Sequence, residues 1–329
     1  MMKVALLGLG SVGKGVADVL SRKDCGIIVT GVADSKSGMM DPKGIDLKTL
    51  LATKKKTGLC GNSSVSAADV VARADYDALI EVTPTNALTG QPALGYITTA
   101  LERNKHVVTS NKGPVAVAYR NLKDKARKNN VEFRYEATVA GAIPIMHTLE
   151  HGLAGNEILA LYGVLNGTCN YILTRMAAEG LTYDQALMEA RELGYAEADP
   201  TYDVKGIDAA IKLVILANTI WDSGARLDDV SRTGIDLLTP DALQLAEDKG
   251  CTIRLIAEAI PRKNLLRVSP RILPKDHPLV VEGTLNALTL ETDLAKEITL
   301  IGRGAGSVET ASAIVGDLIF IRDRYVKRP

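Results

Sequence analysis

The chain has 329 residues, 46% hydrophobic and 24% charged, which is enough for two domains with a proper core each. Its 39 basic residues balance 39 acidic ones, so no net field draws it to nucleic acid or to an anionic membrane. The cysteines Cys25, Cys60, Cys169 and Cys251 are scattered without the C-x-x-C spacing of a zinc or redox centre, and read as free thiols in a reducing compartment.

The opening MMKVALLGLGSVG is apolar, but glycine and charge interrupt it too soon for a signal sequence or a membrane span, which places the protein in the cytoplasm. Lys3 to Leu7 is a strand that runs into GLGSVGKG, and Val12 to Leu20 continues with helical spacing. Gly8, Gly10 and Gly13 match G-x-G-x-x-G between strand and helix, and the next strand, Ile27 to Ala33, ends at Asp34. This is the pattern of a dinucleotide site. The glycines let the backbone approach a pyrophosphate, the helix N-terminus favours its charge, and Asp34 accepts from ribose hydroxyls. A tight turn with no ligand is the plainer alternative. The basic run Lys54-Lys55-Lys56 reads as a solvated loop.

Two further strands end in polar turns: Asp77 to Val82 in Thr83-Pro84-Thr85-Asn86, and His106 to Val108 in Thr109-Ser110-Asn111-Lys112-Gly113-Pro114. Ligands of an open parallel sheet bind outside the carboxyl ends of its strands, so Thr83 and Lys112 fall where a nicotinamide ribose and its substrate would lie. Pro114 suits the first turn of a helix reaching about Lys128. After a strand at Glu132 to Tyr135 the stretch EATVAGAIPI is small and apolar around Glu136, and a helix is expected to follow it.

The domain boundaries expected are 1–137 with 300–329 for nucleotide binding, and 138–299 for substrate binding and dimerisation. The second domain holds strands at Ile158 to Val164 and Thr284 to Leu290, and helices at Tyr183 to Leu193 and after Asp203. The glycine turn IGRGAG, Ile301 to Gly306, precedes a helical run from Ala311 to Arg324 that returns to the first domain. The fold class is therefore α/β, a Rossmann-type dinucleotide-binding domain with an α+β substrate domain.

From Ile207 onward the sequence IDAAIKLVILA is apolar almost all round, yet carries Asp208 and Lys212 one turn apart on one face. One reading is an i, i+4 ion pair on a wet edge, worth some tenths of a kcal/mol. The other is a pair lining a cleft, because buried charges survive only when paired or facing a cavity. Lys212 is then the proton donor or acceptor, and Asp208 holds it and a substrate hydroxyl. Upstream, Glu197, Asp199 and Asp203 crowd a Pro- and Gly-containing loop where carboxylates suit either a substrate ammonium or turn chemistry.

The motifs GLGSVG, TSNKGP, EATVAGAIPI, LNGTCNYIL, GYAEADPTYDVKGIDAAIKL and GRGAG, in this order over essentially the whole chain, resemble homoserine dehydrogenase. The resemblance implies interconversion of L-homoserine and L-aspartate 4-semialdehyde with NAD or NADP, in threonine, methionine and isoleucine biosynthesis. It assigns Lys212 as proton donor in the reducing direction, Asp208 to the substrate hydroxyl and Lys112 to cofactor and substrate. Glu197 is assigned to the substrate amino group, with Asp203 and Thr168 nearby. Cofactor contacts follow at Gly8, Gly10, Ser11, Val12, Gly13, Asp34, Lys36, Thr83, Pro84, Ser110, Lys112 and Gly304. A structural sodium ion is implied at Glu136 and the carbonyls of Val139, Gly141 and Ile143, an all-oxygen set that suits a hard cation.

Relatives with a kinase domain ahead or a regulatory domain behind exist. The chain ends at Pro329, so control through such a domain is not expected, and Arg303 departs from the smaller residue expected in GRGAG. Asp34 favours NAD, whereas Lys36 and the Lys54 to Lys56 run suit a 2′-phosphate, so both cofactors stay open. The expected assembly is a homodimer through the second domain, with no nucleic acid or membrane partner. Two other readings are a related dehydrogenase acting on another small amino or oxo acid, and a nucleotide-sensing protein without the chemistry.

Overall fold

The computed structural model describes residues 1–325, which fall into two compact units, Met1–Pro144 with the segment from Gly306, and Ile145–Ala305. In the first unit β1 (Met2–Leu7) leads through a glycine turn into α1 (Ser11–Arg22), followed by β2 (Ile27–Ala33), β3 (Gly38–Met40), α2 (Leu47–Thr57) and α3 (Ala67–Arg73). Next come β4 (Ala78–Glu81), α4 (Ala93–Glu102), β5 (His106–Thr109), α5 (Lys112–Lys128) and β6 (Phe133–Arg134). The sheet order is β3-β2-β1-β4-β5-β6, parallel except for β3. The order reverses direction between β1 and β4, which is the switch point where ligands bind in such sheets.

Register aligns the carboxyl ends of four strands. Leu7 pairs with Ala33 on one side and Glu81 on the other, and Glu81 pairs with Thr109. The residues that follow them, Gly8, Asp34, Val82-Thr83 and Ser110, therefore emerge along one edge. The strands read as apolar runs because both faces are covered: Val4, Leu6, Ile80 and Val108 join Val16 and Val19 of α1 in one core.

The second unit opens with a short helix, α6 (Ile145–His147), continued by a π turn at Thr148–Gly152, then β7 (Ile158–Val164), α7 (Gly167–Glu179), α8 (Tyr183–Glu192), α9 (Thr201–Val204) and α10 (Ile207–Trp221). It continues with β8 (Ser231–Arg232), α11 (Pro240–Glu247), β9 (Cys251–Ile260), β10 (Leu265–Pro274), β11 (Leu285–Thr292) and β12 (Glu297–Arg303). Its sheet runs β12-β11-β7-β9-β10-β8, antiparallel but for the short β8, with α7, α10 and α11 packed on β9. The last helix, α12 (Ser307–Tyr325), belongs to the first unit, where Ile314, Leu318 and Ile321 join the core around α1.

Two expectations need correction. Residues 138–144 lie in the first unit and 300–305 in the second, because Leu300 and Ile301 are hydrogen-bonded into β12 against β11 rather than forming a turn. Lys54 to Lys56 are not loop but the last turn of α2, which Asp46 caps and Gly58 closes in the left-handed conformation (φ 74°). The helix expected after EATVAGAIPI is present, short at Ile145–His147 and continued by the π turn.

Candidate active site

The glycine turn is shaped by close approach. Gly8 sits at φ +96°, and a Cβ there would lie 2.6 Å from the carbonyl oxygen of Val82, while a Cβ on Gly13 would fall on the carbonyl oxygen of Gly8. Gly10 is different: it is exposed, and a Cβ would meet nothing within 4 Å. It is the N-cap of α1 with no side chain closing the helix end. Open space above an uncapped N-terminus fits a pyrophosphate, whose oxygens would take up N–H groups of the first turn at Ser11, Val12 and Gly13. Ser307 of α12, which the sequence reading passed over, ties this turn down by donating its hydroxyl to the Ser11 carbonyl at 2.6 Å.

At the end of β2, Asp34 accepts from the backbone N–H of Lys36 (2.8 Å) and of Ser37 (3.1 Å) through Oδ1, and pairs with Lys54 through Oδ2. Partial burial works against the charge, but the Lys54 hydrogen bond and the two backbone donors outweigh it and hold the carboxyl below its usual pKa. Lys54 also donates to the Gly58 carbonyl at 2.6 Å. Asp34 thus carries a fixed cation from the run read as loop, whereas Lys36 is exposed.

Glu81 is the residue the sequence reading missed at the next two strand ends. It closes β4 fully buried and accepts from the Thr83 N–H at 2.9 Å, from the Thr83 hydroxyl, and from the Thr109 hydroxyl at 3.1 Å. Burial pushes its pKa up despite these donors. Asn111 donates to the Thr83 carbonyl at 3.1 Å, and its Oδ1 accepts from Gly113 N–H to cap α5. One network therefore fixes the turn carrying Thr83 and Pro84 and the turn carrying Ser110 and Lys112, the first residue of α5. The visible signal was an acid, Glu81, set next to last in the strand run DALIEV among apolar residues.

In the second unit, α10 is buried continuously from Asp208 to Asn218. Ile211, Leu213, Val214, Ile215 and Leu216 each stabilise it by about 1.5–3 kcal/mol, which offsets the cost of holding Asp208 and Lys212 at 5% and 8% exposure. Lys212 Nζ lies 2.7 Å from Asp208 Oδ2 and donates to the Leu165 carbonyl at 2.6 Å. A wet-edge ion pair is excluded by that burial. Asn166, next in the chain, donates from Nδ2 to Asp203 Oδ1 at 2.6 Å and to Asp208 Oδ2 at 3.0 Å. Asp203 lies on α9 rather than in a loop. Thr168 donates its hydroxyl to the Tyr195 carbonyl at 2.8 Å, which ties the exposed Glu197 segment to the start of α7. Asp199 performs turn chemistry, accepting from Thr201 N–H at 3.0 Å.

Gly304 lies in the second unit, and a Cβ there would collide with the Asn286 side-chain amide, so its glycine is explained within that unit. Around Glu136, buried at the head of a 3-10 turn, Ala140 and Gly141 take consecutive left-handed conformations (φ 55° and 52°) that fold the segment bearing Val139, Gly141 and Ile143 back sharply. Among the described residues no group of three or more His, Cys, Asp or Glu forms a metal cluster, and no helix is long and apolar enough to cross a membrane.

Residues 8–136 match the model of the homoserine dehydrogenase NAD-binding domain, and residues 144–319 that of homoserine dehydrogenase. The chain is 47% identical to homoserine dehydrogenase of Methanocaldococcus jannaschii over 97% of its length and 98% of that protein. It is 37% identical to the NAD(+)-dependent homoserine dehydrogenase of Pseudomonas canavaninivorans over 99% and 97%. A crystal structure of a putative homoserine dehydrogenase from Archaeoglobus fulgidus superposes with TM-score 0.92 at 49% identity, covering 98% of this chain and 99% of that one. A hyperthermophilic archaeal homoserine dehydrogenase in complex with NADPH superposes with TM-score 0.84 at 30% identity, covering 98% of each. With both family models matched in sequence order and relatives aligned over almost their full lengths, the chain belongs to the homoserine dehydrogenase family.

Proposed function

We propose that the protein interconverts L-homoserine and L-aspartate 4-semialdehyde with NAD or NADP, in the synthesis of threonine, methionine and isoleucine in the cytoplasm. The observation that carries this reading is Lys212, a buried ammonium held between Asp208 and the Leu165 carbonyl on an otherwise apolar helix. An ammonium has three N–H donors, so one remains for a substrate oxygen. Lys212 delivers the proton to the aldehyde oxygen in reduction and takes it back in oxidation. Asp208 holds the same hydroxyl, Glu197 and Asp203 take the substrate ammonium with Thr168 beside them, and Lys112 supplies a second ammonium to the reaction. The nicotinamide, when bound, accepts or gives the hydride.

The cofactor-binding set comprises Gly8, Gly10, Ser11, Val12, Gly13, Asp34, Lys36, Thr83, Pro84, Ser110, Lys112 and Gly304. The Asp34–Lys54 pair supports acceptance of both cofactors: the carboxylate suits a ribose hydroxyl, and the paired ammonium suits a 2′-phosphate. The proposal includes a sodium ion at Glu136 and the carbonyls of Val139, Gly141 and Ile143, an all-oxygen donor set of the kind that suits a hard cation. A homodimer through the second unit is supported by apolar residues exposed on its strands, Ile272 and Ile301. The test is the appearance of reduced nicotinamide when the protein is mixed with L-homoserine and NAD or NADP at mildly alkaline pH. Cofactor binding without turnover of homoserine would move the activity to another small hydroxy or oxo acid.

A further inference from the structure

We propose that Asn166 is a positioning residue whose side-chain amide clamps Asp203 and Asp208 together as a working pair of carboxylates and holds Asp208 against Lys212. This rests on the reading of Asp203, Asp208 and Lys212 given above. Asn166 follows β7 and Leu165 and is the N-cap of α7, in extended conformation (φ −126°, ψ 112°), with Oδ1 accepting from Cys169 N–H at 2.8 Å. A plain N-cap needs only that oxygen, and serine, threonine or aspartate would serve equally well. What distinguishes asparagine is the amide nitrogen. Once the oxygen is committed to the cap, the amide cannot flip, and its NH2 group must point the other way.

The two groups it meets there are Asp203 Oδ1 at 2.6 Å and Asp208 Oδ2 at 3.0 Å. An NH2 group has two hydrogens, so each carboxylate receives one. The Asp208 oxygen it contacts is the one that faces Lys212 Nζ at 2.7 Å. Lys212 in turn donates to the carbonyl of Leu165, the residue before Asn166. A single dipeptide, Leu165–Asn166, thus touches all three charged groups. Asn166 is only 5% exposed, so these bonds form where the effective dielectric is low and a mispaired carboxylate is costly.

Two carboxylates facing one nitrogen repel, and each makes the other harder to ionise unless donors intervene. Among the titratable groups near them are Lys212 from α10 and Cys169 from α7. The Cys169 thiol donates to the Asp203 carbonyl at 3.2 Å, and burial keeps it a neutral thiol. Removing the amide therefore takes one donor from each of the two carboxylates. The pair then holds a shared proton at higher pH, and Asp208 loses its orientation toward Lys212.

The test uses Asn166→Ser and Asn166→Asp in the full-length protein. Both retain an oxygen to cap α7, the serine without the NH2 group that bridges the two aspartates, the aspartate with a third negative charge. Carboxyl titrations of Asp203 and Asp208 by 13C NMR, assigned with Asp203→Asn and Asp208→Asn, read the clamp directly and need no turnover. We expect the pair to titrate about one pH unit or more higher in Asn166→Ser and further still in Asn166→Asp. The acid limb of kcat/KM for homoserine should move in parallel, with kcat reduced about tenfold or more and the Kd for NAD(P) unchanged. An unchanged titration in either variant, with a Tm close to wild type, overturns the proposal. Should the serine variant not fold, the aspartate variant, which keeps the shape, decides alone. Absence of homoserine turnover in the wild-type protein would instead refute the functional reading, leaving the NMR result to judge the clamp.

Discussion

Replacing Lys212 with methionine removes the ammonium while keeping an unbranched apolar stem of similar length in a helix that is otherwise core. Two effects follow, and their sizes separate them. Loss of a general acid or base lowers kcat by about 10²–10⁴, which is about 2.7–5.5 kcal/mol at 1.36 kcal/mol per tenfold. The structural cost comes from leaving Asp208 and the Leu165 carbonyl without their partner. Breaking a fully buried pair costs about 3–5 kcal/mol. Here Asn166 still donates to Asp208 at 3.0 Å and the Lys212 side chain is 11% exposed, which lowers the cost to about 1–3 kcal/mol. A domain stable by about 5–15 kcal/mol stays folded after that loss. Lys212→Met should therefore retain a cooperative unfolding transition and an unchanged Kd for NADPH, measured by nicotinamide fluorescence, while homoserine-dependent reduction of NAD(P) falls by at least about two orders of magnitude. A variant with near-wild-type kcat would refute the role of Lys212. A loss of activity that tracked the unfolded fraction would refute the separation of the two effects.

Two further outcomes are expected. Glu81 is raised above its ordinary pKa of 4.5 by burial, so the folded state favours its protonated form. The stability it contributes is fully present below the ordinary glutamate value and is lost as pH rises through the raised one. The non-titrating Glu81→Gln variant should gain on the wild type across that window and hold a constant difference above it. Urea midpoints of both proteins at a series of pH values measure this, and a difference independent of pH would show that the Thr83 and Thr109 donors fully offset burial. Lys54→Ala leaves Asp34 without its cation. It should lower kcat/KM for NADP about tenfold or more relative to that for NAD, because a 2′-phosphate would then face a bare carboxylate. An unchanged ratio would remove Lys54 from the 2′-site.

The order of elements in the first unit was legible because its signals are local. An apolar run followed by G-x-G-x-x-G and helical spacing reports one strand, one turn and one helix, all within about thirty residues. The conflict on α10 was legible for the same reason, since Asp208 and Lys212 contradict the apolar pattern four residues apart. The sequence by itself thus determined the glycine turn after β1, the strand–helix order around it and the conflict on α10, all of them local patterns. What it left undecided depends on strand register and on side chains far apart in the chain. Lys54 reaches Asp34 only because α2 ends beside β2, and the run had no periodic signature to mark it as helix. Glu81 meets Thr109 because β4 and β5 pair in that register. Asn166, indistinguishable in sequence from an ordinary helix cap, meets Asp203 and Asp208 only once α7, α9 and α10 are packed together. Tertiary structure decided these partners because a hydrogen bond acts over about 3 Å, a distance that chain connectivity constrains only for near neighbours.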